Sequence, residues 1–133
     1  EAKYIITGNN RDVNRYKWNY KNISKKLDDK NSKQSIFYQK ISNLLSIRRK
    51  QKAFHPNASR HYINLGSKIF SFKRISINKK QTIICITNLS SKIQRARLNK
   101  IYHNWNNLIG SKIEIKNKLL ILKPFETIWL SNR

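Results

Sequence analysis

The fold of this chain is decided by one stretch, Thr82-Ile83-Ile84-Cys85-Ile86-Thr87-Asn88-Leu89. Its apolar centre has the length of a buried strand and is far shorter than the roughly 18 residues that a membrane-spanning helix needs. A second apolar run, Leu119–Leu122, has the same character. We therefore predict a buried strand at each of the two places.

Short runs of this kind fill the chain from about residue 60 onward, and turn-forming residues separate them. Gly66, Asn78 and Gly110 mark three of these turns. The regular spacing of short strands predicts an antiparallel sandwich. The predicted strands are His61–Leu65, Ile69–Ile75, Thr82–Leu89, Ile93–Leu98, Lys112–Ile115, Lys118–Leu122 and Glu126–Leu130.

The first part of the chain has a helical character instead. Residues 20–28 predict a short helix, because Ile23 and Leu27 are four residues apart. A longer helix should begin after an N-cap at Asn31 or Ser32 and end near Ala53. The apolar stripe of this longer helix consists of Ile36, Phe37, Ile41, Leu44, Leu45 and Ile47.

This stripe needs a second layer to cover it. The predicted β region could cover part of the stripe, and a domain outside this chain would cover it better. The change from helix to short strands indicates a boundary near residues 54–60. The chain also begins at Glu1 and contains no Met, which we interpret as a sign that the natural N-terminus lies upstream.

The net charge is +23, from 29 basic and 6 acidic residues. One interpretation is a small basic nucleic-acid-binding protein, because such a field attracts phosphate. The other is compositional drift, since Lys, Asn and Ile are abundant together and share A/T-rich codons. Lys is spread from Lys3 to Lys123 rather than concentrated on one segment, which favours drift.

The single Cys, Cys85, excludes an internal disulfide. It lies in an apolar run, so we predict a small buried hydrophobe rather than a reactive thiol. A reducing compartment follows from this use of Cys, and the cytoplasm is the expected location. No signal peptide or membrane-spanning run is present in the sequence.

A polar, aromatic-rich loop near the start is the best candidate for a functional segment. Thr7-Gly8-Asn9-Asn10 has turn chemistry, and Arg11–Trp18 follows it without a clear period. This mixture is typical of a structured loop with a task rather than of a flexible linker.

Five segments resemble the sucrose phosphorylase group within the α-amylase superfamily, glycoside hydrolase family 13. Thr7–Tyr16 resembles its "TG-x-x-RDINRH" loop, and Leu44–Asn57 resembles the "LLxLRRxxPAFHPN" end of its last barrel helix. Ile69–Arg74 and Cys85–Ser90 resemble the "xFxxxR…VxNLS" strands of its C-terminal domain. Leu122–Leu130 resembles the closing "LxPYExxWL" strand. The segments follow the family's order and cover nearly the whole chain.

Two departures occur inside the loop: Val13 replaces the usual Ile, and Tyr16 replaces the usual His. The resemblance implies a (β/α)8 barrel, a TIM barrel, whose last βα loop and helix are residues 1–57. It implies an antiparallel β C-terminal domain for residues 58–133. The implied fold class is therefore an α+β fragment, a barrel end followed by a small β sandwich. The departure at Tyr16 leaves open which glucoside and acceptor are used.

The resemblance also implies an activity and a site. In the related enzymes a retaining mechanism moves a glucosyl group from sucrose, or a similar glucoside, to phosphate, without a cofactor. The Asp nucleophile and the Glu acid/base come from earlier barrel strands, which this chain lacks. Arg11 would donate hydrogen bonds to sugar hydroxyls, as a planar guanidinium can. Asp12, Asn14 and Arg15 would position the loop or extend the substrate-binding site; local ion pairing within the loop is the alternative, and it is preferred for Arg15.

The residues themselves argue against a complete active site. Retaining glycoside chemistry needs two carboxyl groups about 5 Å apart. The three His residues lack metal-ligand spacing, so we predict no metal site. We thus expect the isolated chain to be inactive and to depend on the missing barrel portion as its partner. The acidic residues, none of which forms a recognisable pair, are Glu1, Asp12, Asp28, Asp29, Glu114 and Glu126.

The aromatic residues leave a third hypothesis, a carbohydrate-binding β module, which requires an exposed aromatic face. Trp18 and Tyr20 could stack on a sugar, although aromatics after a loop more often pack on a helix. Trp105 and Trp129 are predicted to belong to the core of the β domain.

Overall fold

A computed structural model describes residues 2–8, 18–110 and 112–133. The chain divides into two compact units, Glu1–Asn43 and Leu44–Arg133. The first unit is helical, and the second contains all the strands. The boundary expected between residues 57 and 58 separates the end of a barrel from a C-terminal domain in a larger enzyme. It stays a prediction.

Within the described ranges, three helices precede the strands: α1 at Ala2–Thr7, α2 at Tyr20–Asp28 and α3 at Lys33–Arg49. Helix α3 includes the last residues of the first unit and the first residues of the second. The short helix predicted at 20–28 is confirmed as α2. Its N-cap is Asn19, whose side-chain oxygen accepts a hydrogen bond from the Lys21 amide at 3.0 Å.

The start of α3 is also confirmed, but its predicted end is wrong. Ser32 caps the helix, since its hydroxyl oxygen accepts from the Ser35 amide at 3.0 Å. The helix ends at Arg49 rather than near Ala53, and a separate 3-10 turn spans Lys52–Phe54. The reason is that the backbone of Ala53 bonds to side chains from the β region instead of to the helix.

Those bonds come from two distant residues. The Ala53 amide donates to Gln81 Oε1 at 3.0 Å, and the Ala53 carbonyl accepts from Arg74 Nε at 3.1 Å. An α-helix that continued through Ala53 would have to give up both bonds. Partners 21 and 28 residues along the chain therefore set the end of this helical segment.

Most of the apolar stripe of α3 is exposed in the part of the chain that the structure describes. Phe37 is 69% exposed, and Ile36, Ile41 and Leu45 are also exposed. Ser35 is the buried residue of the helix. A stripe of this size that faces solvent is a surface that another protein layer would normally cover.

The β strands form two antiparallel sheets. The five-stranded sheet has the order β1-β2-β3-β8-β5, and the three-stranded sheet has the order β4-β7-β6. The strands are β1 Ser59–Tyr62, β2 Ile69–Ile75, β3 Thr82–Asn88, β4 Gln94–Arg97, β5 Asn106–Asn107, β6 Glu114–Lys116, β7 Leu119–Leu122 and β8 Thr127–Ser131.

Each predicted strand has a counterpart, and the α+β composition with antiparallel sheets is confirmed. Strand β5 was not predicted, because two consecutive Asn residues show neither alternation nor an apolar run. It pairs with β8 at the end of the five-stranded sheet.

The main core joins residues of both sheets. Its buried members are Ile69, Ile84, Ile86, Ala96, Leu98, Leu120, Leu122, Ile128 and Leu130. Trp105 packs against this cluster, as predicted. Tyr102 contacts Trp105 edge to face, with 4.8 Å between the ring centroids.

Strand β3 is buried on both faces. Ile84 and Ile86 belong to the main core, whereas Ile83 and Cys85 belong to a second cluster with Ala53. Phe54 and Trp129 pack against that second cluster, with ring centroids 4.9 Å apart, so the predicted core position of Trp129 is confirmed. Because both faces of β3 are buried, its sequence is an unbroken apolar run, and this run is the one from which the buried strand was predicted.

Candidate functional site

The loop residues predicted to bind substrate, Arg11, Asp12, Asn14 and Arg15, lie outside the described residues. The structure therefore does not test their roles. Just before the loop, Gly8 has a φ of +63°, a left-handed conformation that glycine adopts without strain.

The segment just after the loop is well anchored within the helical unit. Lys26 Nζ lies 4.9 Å from the centre of the Trp18 ring, a cation–π contact. Asn19 caps α2 one residue later. Trp18 therefore takes part in local packing, and Tyr20 is exposed at the start of α2.

Asp29 and Glu126 have local structural partners. Asp29 Oδ1 accepts from the Asn31 amide at 3.0 Å in the turn between α2 and α3. Glu126 Oε2 accepts from the Lys123 amide at 2.7 Å. Both are turn-forming bonds.

Glu114 forms an ion pair with Lys116, with 2.9 Å between Oε1 and Nζ. A hydrogen bond and the charge of Lys116 lower the pKa of Glu114. A general acid requires a raised pKa, so this carboxylate is shifted in the wrong direction for that role. Glu114 and Glu126 line the same small cleft of 70 Å³, together with Lys112 and Lys123.

Cys85 is a buried thiol, as predicted. Burial raises its pKa to about 12, although the nearby charge of Arg74 acts in the opposite direction. Only the thiolate form of Cys acts as a nucleophile or a metal ligand, so this protonated side chain is unreactive near neutral pH. Among the residues that the structure describes, no three His, Cys, Asp or Glu side chains are grouped to hold a metal ion.

A polar network holds the end of the α3 segment to the β strands. Gln81 is its centre: Oε1 accepts from the Ala53 amide, and Nε2 donates to Gln51 Oε1 at 2.7 Å. Arg74 donates to the carbonyls of Ala53 and His55. Gln81 was not among the residues predicted from the sequence. The signal that could have identified it is its position, since it is a polar residue directly before the most apolar strand.

Asn88 fixes the loop that follows β3. Its Nδ2 donates to the carbonyls of Lys92 and Lys123, each at 2.8 Å, and its Oδ1 accepts from the Ser90 amide at 2.9 Å. The side chain is fully buried. This network gives the Asn-Leu-Ser segment a structural role, because one amide joins two turns.

An exposed aromatic group lies on β1 and β2. Tyr62 is 68% exposed and Phe70 is 45% exposed, with 6.4 Å between their ring centroids. Phe72 continues the row at 5.5 Å from Phe70, and the Arg60 guanidinium lies 5.5 Å from the Tyr62 ring centre. The exposed aromatic face that a carbohydrate-binding module requires is therefore present.

The fold is similar to that of an α-glucosyl transfer enzyme of known structure, with a TM-score of 0.61 and 16% identity. The match covers 83% of this chain and 19% of that enzyme. No protein-family model matches the chain.

Two curated relatives are similar to this chain in sequence. The glucosylglycerate phosphorylase of Escherichia coli (strain K12) is 26% identical over 126 residues, which are 92% of this chain and 21% of that enzyme. The glucosylglycerate phosphorylase of Spirochaeta thermophila is 30% identical over 84 residues, 63% of this chain and 14% of that enzyme. The resemblance predicted from the sequence is confirmed: the chain is similar to the C-terminal part of sucrose phosphorylase-like enzymes of glycoside hydrolase family 13.

The matched region spans about a fifth or less of the length of these relatives. No helix within the described ranges is long and apolar enough to cross a membrane.

Proposed function

We propose that this chain is the C-terminal fragment of a sucrose phosphorylase-like enzyme that transfers a glucosyl group to phosphate in carbohydrate metabolism. One observation carries the proposal: the similarity to a glucosylglycerate phosphorylase extends over 92% of this chain but only 21% of that enzyme. Residues 1–57 supply the last βα loop and helix of a (β/α)8 barrel, and residues 58–133 supply a β-sandwich C-terminal domain.

The chemistry belongs to the missing barrel portion. The local partners of Asp29, Glu114 and Glu126 support this division, since none of these carboxylates is free to act as nucleophile or acid/base. Retaining transfer needs a close carboxylate pair. The fragment alone is inactive on any glucoside.

The contribution of this chain to the shared site is the loop around Arg11. Arg11 donates hydrogen bonds to hydroxyls of the transferred glucosyl group, and Asp12, Asn14 and Arg15 hold the loop or extend the site. The names of the two relatives favour glucosylglycerate over sucrose as the donor. A donor other than sucrose agrees with the departure from the family pattern at Tyr16.

The exposed stripe of α3 is the surface that the rest of the barrel covers. Phe37, Ile36 and Ile41 have large apolar side chains that are exposed here. Burying them stabilises the larger enzyme by about 25 cal/mol for each Å² removed from water. No observation in the described parts of the chain favours the nucleic-acid alternative.

The test compares the chain alone with the chain in a full-length context. Purified residues 1–133 are incubated with phosphate and either sucrose or glucosylglycerate, and release of glucose 1-phosphate is followed. We expect no turnover. The same residues then replace the matching C-terminal segment of the Escherichia coli relative, and we expect this hybrid to phosphorolyse glucosylglycerate. Turnover by the isolated chain would contradict the proposal, as would an inactive hybrid that is folded.

A further inference from the structure

A basic cleft of 510 Å³ lies in the β unit, at one end of the three-stranded sheet. Its volume is within the usual range of small-molecule sites, about 300–1,000 Å³. Half-buried Leu119 supplies apolar surface, and the polar lining consists of Arg97, Asn99, Lys100, His103, Asn117 and Lys118.

The fold brings these cations together from separate segments. Arg97 is the last residue of β4 and lies opposite Leu119, the first residue of β7. Lys118 directly precedes Leu119 in the turn between β6 and β7. Lys100 begins the 3-10 turn Lys100–Tyr102 that follows β4. The cluster is therefore a product of sheet register and not of neighbouring positions in sequence.

Nothing in the described residues neutralises the cleft. No Asp or Glu lines it, and no described carboxylate forms an ion pair with Arg97, Lys100 or Lys118. The nearest acidic residue in sequence, Glu114, is paired with Lys116. Three cations without counter-charges repel one another, so an anion in the cleft would relieve that repulsion.

The His103 ring has a fixed position in this lining. Its Nε2 lies 3.1 Å from the carbonyl oxygen of Leu98, so this nitrogen donates the hydrogen bond. The ring is partly buried. One wall of the cleft is therefore held in place by the fold rather than built from mobile Lys side chains alone.

Lys118 adopts a conformation that favours glycine. Its φ is +64°, and the preceding Asn117 has a φ of +50°. Two consecutive left-handed residues define a primed hairpin turn, in which the second position is usually Gly. A Lys at this position costs local stability, and the turn places Lys118 directly before Leu119 in the lining of the cleft.

We propose that this cleft binds a small phosphate-bearing anion, with the phosphate on Arg97, Lys100 and Lys118. The apolar surface of Leu119 and the volume of the cleft fit a phosphate that is carried by a sugar. Arg and Lys are the usual partners of phosphate oxygens, through charge-assisted hydrogen bonds. The residues of this cleft differ from those of the Arg11 loop, and this proposal does not depend on the proposed glucosyl transfer.

The experiment is a calorimetric titration of the full 133-residue chain at about 0.15 M NaCl, where diffuse surface charge is screened. The ligands are a hexose phosphate, inorganic phosphate and the neutral hexose. We expect saturable one-site binding of the hexose phosphate and none of the neutral hexose. Equal affinity for inorganic phosphate supports the anion site and assigns free phosphate as its ligand.

Two variants give a matched comparison. In Lys118→Gly we expect the affinity to fall about tenfold, because one charge-assisted contact is lost. The melting temperature should rise by about 2–4 °C, because glycine removes the strain at φ +64°. Lys79→Gly is the control: Lys79 has a φ of +56° and does not line the cleft. It should gain stability and keep the affinity.

Three results would overturn the proposal. Equal losses of affinity in Lys79→Gly and Lys118→Gly would show binding by overall charge. If neither the hexose phosphate nor inorganic phosphate bound saturably, the cleft would not be an anion-binding site. If a short oligonucleotide bound with a steep salt dependence and the hexose phosphate did not bind, the basic residues of the cleft would be a nucleic-acid-binding site instead.

Discussion

Asn88 is a single side chain on which two turns depend. It bonds the carbonyls of Lys92 and Lys123 and accepts from Ser90, and it is fully buried. Substitution by Ala would leave these groups without partners in a place that water does not reach. An unsatisfied buried polar group costs about 1–3 kcal/mol, and several are affected here.

We therefore predict that Asn88→Ala lowers the free energy of unfolding by about 2–4 kcal/mol. Urea denaturation followed by circular dichroism measures the change. Asn57→Ala is the control, because Asn57 is exposed and should cost less than about 0.5 kcal/mol. A similar small loss in both variants would show that the network does not stabilise the fold.

The thiol of Cys85 predicts a pH dependence. Its pKa is raised from an ordinary 9.0 to about 12 by burial. The folded state therefore holds the proton more tightly than the unfolded state does. The contribution of the neutral thiol to stability is fully present below pH 9.0 and is lost progressively between 9.0 and about 12.

The measurement compares the natural chain with Cys85→Ala between pH 8.5 and 11. As the pH rises, the natural chain should lose stability more steeply than Cys85→Ala does, because only the natural chain releases a proton from the Cys85 thiol on unfolding. Parallel pH curves would contradict the prediction. Alkylation by iodoacetamide at pH 8 should likewise require unfolding.

Arg11 predicts a catalytic effect in the hybrid enzyme. Arg11→Lys keeps the charge but loses the planar fork of donors, so kcat/KM should fall about 100-fold. Arg15→Lys is the matched control and should change kcat/KM by less than about fivefold. Steady-state phosphorolysis rates give both numbers. Equal effects at the two positions would assign Arg11 to the structure of the loop.

At the scale of elements, the junction after α3 depends on Gln81 and Arg74. Gln81→Leu keeps most of the side-chain volume but leaves the Ala53 amide without an acceptor. We predict a loss of about 1–3 kcal/mol in unfolding free energy. Hydrogen exchange at the amides of Ala53 and Phe54 should accelerate, while the amides of β3 serve as the internal control under native conditions. Unchanged exchange at Ala53 would show that Gln81 does not hold the turn.

The elements also show which parts of the fold can be predicted from the sequence. Strands such as Ile69–Ile75 and Thr82–Asn88 were placed correctly, because short apolar runs between turn residues are local signals. The end of α3 was misplaced, because its cause is Gln81, 28 residues from Ala53. The candidate loop was reached only through the resemblance of its motif. The basic cleft was not predicted, because strand register places Arg97 opposite Leu119, next to Lys118 in sequence, and this register is not visible in the sequence.

At the scale of the whole molecule, charge and exposed apolar surface oppose each other. The net charge of +23 keeps copies of the chain apart at low salt, and the α3 stripe favours association once salt screens the charge. We predict that sedimentation velocity detects salt-induced self-association of the isolated chain. Phe37→Ser with Ile41→Ser should suppress it, and Tyr20→Ser, which changes an exposed aromatic outside the stripe, should not. Association that persists in the double variant would exclude the stripe as its cause.

Strand order has a consequence for how the protein is made. β8 comes last in sequence, yet it lies between β3 and β5. A nascent chain that has left the ribosome only as far as β7 therefore carries an apolar β3 with one unpaired edge, a template for aggregation. The β unit completes its larger sheet only after β8, which ends at Ser131, has left the ribosome, and one edge of β3 stays open to wrong pairing until then.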